Sequence, residues 1–237
     1  MPGIAGASRE CYRTRVSDGA TGTTMRRRER LARLSGLYAI VGDDDPVGRA
    51  EAAVAGGAAV IQVRMKASPA GAVLEAARRI ASLSRGRALV LVNDRPDVAI
   101  LSGADGVHLG DDDLPVGDAR RLVGEDLLVG RTCRTAEEGR AALAAGADHL
   151  GFGPVFPSAT KPLAISPRGL AALAEACRAL PAPVVAISGI TLDNIAEVAR
   201  AGAACAAVIG DLFDRGDPRA RAAALAAAFE RGRGELA

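Results

Sequence analysis

The feature that most constrains the fold is an alternation. From Leu37 onward, short runs of β-branched and apolar residues take turns with Ala- and Arg-rich segments of helical period, eight times over. The apolar runs are LYAIV (37–41), AVIQVR (59–64), ALVLV (88–92), GVHLG (106–110), LLVGR (127–131), HLGFG (149–153), VVAIS (184–188) and AAVIG (206–210). Intervening segments such as SPAGAVLEAARRIASLSR, TAEEGRAALAAG and TLDNIAEVARAG open near Ser, Thr, Asp or Pro, and several close on Gly, as helix caps require. Apolar strands joined by single helices must run parallel, and a parallel sheet needs cover on both faces. Eight such repeats in roughly 200 residues predict an α/β fold, a single (β/α)8 TIM barrel. The competing doubly wound sheet expects a Gly-rich phosphate turn after its first strand, where this chain has the acidic VGDDDP.

Composition narrows the partners. The chain has 237 residues, 49% of them hydrophobic but only 3% aromatic, with no Trp. Its core must be built from Ala, Val, Leu and Ile, and it lacks the aromatic platforms on which nucleic-acid bases stack. No nucleic-acid partner is expected. Residues 1–34 hold eight Arg against three acidic residues, a net +5, which leaves −3 on the rest of a chain whose total is +2. This Arg-rich stretch is read as a disordered extension (1–34) preceding the barrel domain (35–237). It has no apolar secretory core, and the chain has no run near twenty apolar residues, so the expectation is a cytoplasmic protein with no membrane segment. Cys11, Cys133, Cys177 and Cys205 form no C-x-x-C pair and are expected to be free thiols. His108 and His149 have no metal-ligand spacing and read as strand-packing residues.

In a barrel of this kind chemistry belongs to the carboxyl ends of the strands. The scarce polar residues gather there. Gln62, the only Gln, and Lys66, one of two lysines among 28 arginines, lie in IQVRMK at the end of strand two, with Arg64 between them. Asn93 and Asp94 end strand three, the GDDD of Asp111–Asp113 ends strand four, and RTCRT, with Thr132, ends strand five. The second lysine, Lys161, follows strand six in GFGPVFPSATKP. Cations and carboxylates at one mouth suit a divalent ion bound to a polyphosphate: carboxylates hold the ion, and Lys and Arg neutralise the remaining phosphate oxygens. A rim of ordinary salt bridges is the plainer account of the same residues. SGITLDN after strand seven and VIGD after strand eight offer Gly backbone for a second phosphate, and short βα turns need the same glycines sterically.

Taken in order, IQVRMK, LVNDRPDVA, GADGVHLGDDDLP, VGRTCRTAEE, GFGPVFPSATKP, AISGITLDN and AAVIGDLF resemble the strand-end motifs of the thiamine-phosphate synthase family across residues 37–215. The resemblance implies a TIM-barrel transferase of thiamine biosynthesis. It would join 4-amino-5-hydroxymethyl-2-methylpyrimidine diphosphate to 4-methyl-5-(2-phosphoethyl)thiazole with Mg²⁺, releasing pyrophosphate. It implies that Gln62, Val63, Arg64, Met65, Lys66, Asn93, Thr132 and Lys161 hold the pyrimidine diphosphate, and that Arg64, Lys66 and Lys161 are catalytic. Asp94 and Asp113 would bind the metal, and Ser158, Ala159, Thr160, Gly189, Ile209 and Gly210 the thiazole phosphate. Departures from the family pattern are the acidic triplet, which leaves open which of Asp111, Asp112 and Asp113 lies nearest the metal, together with Met65 and Gly210. The alternatives are a thiazole tautomerase-like relative, which would carry a His where this chain has Arg134, and a non-catalytic phosphate-binding barrel.

Overall fold

The computed structural model describes residues 27–157 and 166–234. Eight parallel strands close into a barrel in chain order: β1 (Gly36–Val41), β2 (Val60–Val63), β3 (Leu89–Asn93), β4 (Gly106–Leu109), β5 (Leu128–Cys133), β6 (His149–Phe152), β7 (Val184–Ala186) and β8 (Cys205–Val208). β8 returns to β1, with Gly36 opposite Cys205 and Ala39 opposite Val208, so no edge strand is left open. Every strand lies within two residues of its expected bounds. Outside the barrel lie α2 (Pro46–Ala55), α3 (Ala70–Ser84), α4 (Pro96–Ser102), α5 (Val116–Val123), α6 (Ala136–Ala144), α7 (Gly169–Ala179) and α8 (Ile195–Arg200). A four-residue α9 (Gly210–Phe213) precedes the closing helix α10 (Pro218–Gly234). No helix among the described residues is long and apolar enough to cross a membrane.

Local sequence starts the helices as expected. Asp45 accepts from Gly48 N at 3.1 Å to open α2. At α6, Thr135 Oγ1 accepts from Glu138 N at 3.1 Å while Glu138 Oε2 accepts from Arg134 N at 2.6 Å, a reciprocal capping arrangement.

Strand periodicity then divides the apolar residues into two cores. Side chains of one parity, including Val63, Val90, Val107, Leu109, Leu150 and Phe152, pack outward against the helices. Those of the other parity, including Tyr38, Val60, Leu89, Leu91, Leu128, Val185 and Cys205, fill the barrel. Each fully buried Leu or Val contributes on the order of 1.5–3 kcal/mol through removal of its surface from water.

The last residues of the Arg-rich stretch form a helix, α1 (Arg27–Ala32), docked at the amino-terminal end of the barrel. Arg30, only 7% exposed, donates Nε to Asp105 Oδ1 at 2.9 Å and Nη1 to the Asp126 carbonyl at 2.6 Å, and Arg27 Nε reaches Asp148 Oδ1 at 2.6 Å. Leu34 enters the inner core beside Leu128. The arginines read as solvated tail because their acidic partners lie 75 to 121 residues away in sequence. Residues 1–26 lie outside the described residues.

Candidate active site

The inward parity of β2 to β6 brings Gln62, Asn93, His108 and Thr132 onto the barrel's interior wall toward its carboxyl end, with Asn93 in register with His108, and places His149 at the start of β6, in register with Gly130. A hydrogen-bond chain ties the first of them to the inner core. Tyr38 Oη donates to Gln62 Oε1 at 2.8 Å, and Gln62 Nε2 donates to Asn93 Oδ1 at 2.6 Å. Burial, with a smaller contribution from Cys205, holds the Tyr38 phenol well above its ordinary pKa, so it remains the donor. Because Asn93 receives through its oxygen, its NH₂ is the group left to donate away from Gln62.

At the mouth above this chain two carboxylates meet. Asp94 follows β3 with φ 64°, in the left-handed region, and its Oδ2 lies 2.9 Å from Lys66 Nζ. Asp113 Oδ2 accepts from Gly110 N at 2.6 Å. Burial raises the Asp113 carboxyl above the usual carboxylate range, and hydrogen-bonding proximity to Asp94 raises it further, against the pull of Gly110 N and Lys66. A like-charge pair of oxygen donors fits a hard divalent cation that completes its shell with phosphate oxygens and water. No group of three or more His, Cys, Asp or Glu side chains able to hold a metal occurs among the described residues.

The acidic triplet is divided by its neighbours. Asp111 turns to the strand-five loop, where it pairs with Arg134 Nη2 and lies 3.7 Å from Arg131, and the Arg134 hydrogen bond lowers its pKa. Asp112 is exposed. Asp113 is therefore the member of the triplet that stands beside Asp94.

The far side of the mouth is built by the loops after β6, β7 and β8. Asn194 folds SGITLDN on itself, donating Nδ2 to the Gly189 carbonyl at 3.0 Å and accepting from Thr191 N at 2.9 Å. Asp211, at the start of α9 beside Ile209 and Gly210, accepts from Leu192 N at 3.1 Å and pairs with Arg221 of α10 at 2.7 Å, so the two loops are fixed to one another. Val155 N donates to the Ile187 carbonyl at 2.9 Å, and Arg168 N to the Pro154 carbonyl at 2.7 Å, which holds the described ends of the β6–α7 loop beside β7. Gly189 has φ 68°, and a Cβ there would stand 2.2 Å from the Pro157 carbonyl oxygen and 2.7 Å from Phe156 Cβ. Gly189→Ala is expected to cost about 2–4 kcal/mol from backbone strain and displacement of this loop. A thermal melt checks the stability loss, and turnover should fall at least about tenfold with the displaced loop.

Val63 and Met65 face the other way. Val63 is buried in the outer core and Met65 packs against it, so only their backbone can serve a ligand at the mouth. Arg64, half-buried, forms no ion pair with a described residue. Ser158, Ala159, Thr160 and Lys161 lie outside the described residues. Sequence reasoning missed Tyr38 and Asn194 as supports, although the period-two spacing of Tyr38 within LYAIV was a usable signal.

The two histidines pack on the strands, as expected. Both are buried inside the barrel, and His108 Nε2 lies 3.0 Å from Thr132 Oγ1. Burial drives their pKa values down, His108 to about 4 and His149 to about 3 from 6.5. Both stay neutral in the native protein while the unfolded chain protonates near 6.5. Their contribution to stability is therefore fully present above pH 6.5 and is lost as pH falls toward 4 and 3. Urea denaturation at pH 7 and pH 5 should show a loss of about 2 kcal/mol per histidine, and His149→Phe should remove about half of it.

The family described as thiamine monophosphate synthase matches residues 37–212. Over 204 residues the chain is 70% identical to a thiamine-phosphate synthase from Anaeromyxobacter dehalogenans (strain 2CP-C), covering 86% of this chain and 92% of that protein. It is 50% identical over 188 residues to the thiamine-phosphate synthase of Myxococcus xanthus (strain DK1622), covering 79% and 86% respectively. A solved structure of a thiamine phosphate pyrophosphorylase from Pyrococcus furiosus superposes with a TM-score of 0.77 at 33% identity, over 85% of this chain and 98% of that one. The chain thus belongs to the thiamine monophosphate synthase family.

Proposed function

We propose that the protein is a thiamine-phosphate synthase of the cytoplasm, joining 4-amino-5-hydroxymethyl-2-methylpyrimidine diphosphate to 4-methyl-5-(2-phosphoethyl)thiazole with Mg²⁺. The observation that carries this reading is the Asp94–Asp113 carboxylate pair beside Lys66, at the mouth of a barrel whose wall presents Asn93 and Thr132. Asp94 and Asp113 would hold the magnesium ion, which supplies positive charge to the diphosphate oxygens when bound.

The chain's own residues do the rest. Asn93, fixed through Gln62 and Tyr38, offers its amide NH₂ to the aminopyrimidine. Lys66 and Arg64 from the end of β2, with Lys161 from the loop after β6, meet the diphosphate. Negative charge grows on the leaving oxygen as the methylene C–O bond breaks, so these cations bind the transition state more tightly than the ground state. The electron pair leaves with pyrophosphate, the aminopyrimidine stabilises the methylene cation, and the thiazole nitrogen lone pair closes the new C–N bond. No proton moves at that nitrogen, so no general base is required. The loops bearing Gly189, Ile209 and Gly210, with Ser158 to Thr160, would hold the thiazole phosphate opposite.

A proton-transferring relative finds less support. The strand-five loop presents Arg134, occupied by Asp111, and His108 is turned to Thr132 inside the barrel. Incubating the protein with both heterocyclic phosphates, with and without Mg²⁺, should yield thiamine phosphate and pyrophosphate only when the metal is present. Binding of both substrates with no thiamine phosphate formed would overturn the reading.

A further inference from the structure

Beneath the mouth the barrel holds two polar rings whose hydrogen bonding the proposed chemistry does not use. His149 is fully buried, and neither of its ring nitrogens has a hydrogen-bond partner among the described residues. His108 uses Nε2 on Thr132 Oγ1 at 3.0 Å, while its Nδ1 is buried without a partner. The two rings lie with centroids 5.6 Å apart. They share the space left by Gly130: a Cβ there would stand 2.2 Å from His149 Nε2 and 2.6 Å from His108 Nδ1, so these unpartnered nitrogens approach one point from two strands. Leaving a buried donor or acceptor unpaired is costly, which favours a mutual bond over three orphans.

The tautomer of His108 decides what Thr132 can do. A neutral imidazole carries one N–H. If the proton is on Nε2, His108 donates to Thr132 Oγ1 and the threonine hydroxyl is free to donate outward. If it is on Nδ1, Thr132 must spend its only proton on His108 and turns lone pairs toward any ligand. An anion requires the first arrangement.

We propose that His149 is a positioning residue: its Nε2–H bonds His108 Nδ1 across the gap at Gly130, locks His108 as the Nε2–H tautomer, and leaves the Thr132 hydroxyl as a donor to a phosphate oxygen at the mouth. The inference rests on the reading of the mouth as a diphosphate site, and it adds a residue below that site which touches no substrate. Burial keeps both rings neutral at pH 7, so the chain of donors stays intact across the working range.

Nitrogen-15 NMR of the full-length protein, with no substrate present, reads the tautomer directly. The expected result is His108 protonated at Nε2 and accepting at Nδ1, and a mixture of tautomers in His149→Phe. In steady-state assays His149→Phe should raise KM for the pyrimidine diphosphate about tenfold with kcat changed far less, since one donor of about 1.4 kcal/mol is lost from ground and transition states alike. His149→Gln, which keeps an N–H near Nε2, should stay within about twofold of the parent. Thr132→Val should raise KM similarly, and adding His149→Phe to it should do nothing more. Additive effects of the two substitutions, or a wild-type His108 protonated at Nδ1, would overturn the proposal. The NMR result stands even if His149→Phe does not fold. Lack of thiamine phosphate from the wild-type protein would instead strike the proposed function.

Discussion

Asp113→Asn is expected to reduce metal-dependent turnover about a hundredfold or more while leaving the thermal midpoint unchanged or raised. The substitution keeps the shape of the side chain and an oxygen that can accept from Gly110 N, as Asp113 Oδ2 does at 2.6 Å. What it removes is one of two adjacent negative charges, and the cation proposed to bind there would lose half of its protein charge. The opposite sign on stability has the same origin. Asp113 is held above the ordinary carboxylate range by burial and by Asp94. A group whose native pKa is raised favours folding at pH values below its unfolded pKa, and that contribution is lost as pH rises through the native value. Ionised Asp113 is therefore a strain on the fold, which a neutral amide relieves. Initial rates against Mg²⁺ concentration, with a thermal melt of the same sample, check both halves. A parallel fall in activity and stability would mean that Asp113 is structural.

The second large effect lies at the opposite end of the barrel. Asp148→Ala is expected to destabilise the protein by roughly 3–5 kcal/mol, the range for removing one partner of a buried ion pair. Asp148 has a side chain 3% exposed and precedes β6. It accepts from Arg120 Nη2 at 2.5 Å, from Arg27 Nε at 2.6 Å and from Val129 N at 2.8 Å. Truncation would strip a buried backbone amide of its acceptor and detach α1 from the barrel floor at Arg27. Arg120 suffers less, because it also donates to the Leu127 and Gly124 carbonyls at 2.8 Å. For a barrel of this size the midpoint should fall by about 10 °C. Asp148→Asn, which keeps an acceptor for Val129 N, should fall between. Activity per folded molecule should be preserved at low temperature, since the substitution lies at the end of the strands remote from the mouth.

The two regions differ in how readable they were. Gln62, Asn93, Asp94 and Thr132 follow apolar runs closely, and the period of two that marks a strand also fixes which side chains turn inward. The floor of the barrel gave no such signal. Arg27 and Arg30 look like members of a basic tail until strands four and six bring Asp105 and Asp148 beneath them.

The chain by itself determined the eight-fold alternation, hence a closed parallel barrel and a mouth rich in scarce polar residues, because strand and helix periods are local properties of neighbouring side chains. Only the tertiary structure decided which carboxylate of the triplet stands beside Asp94, that α1 closes the floor, and that two histidines share the space at Gly130. Each of these depends on distances between residues far apart in sequence, set by the register of the closed barrel and by how neighbouring charges and rings divide the room it leaves.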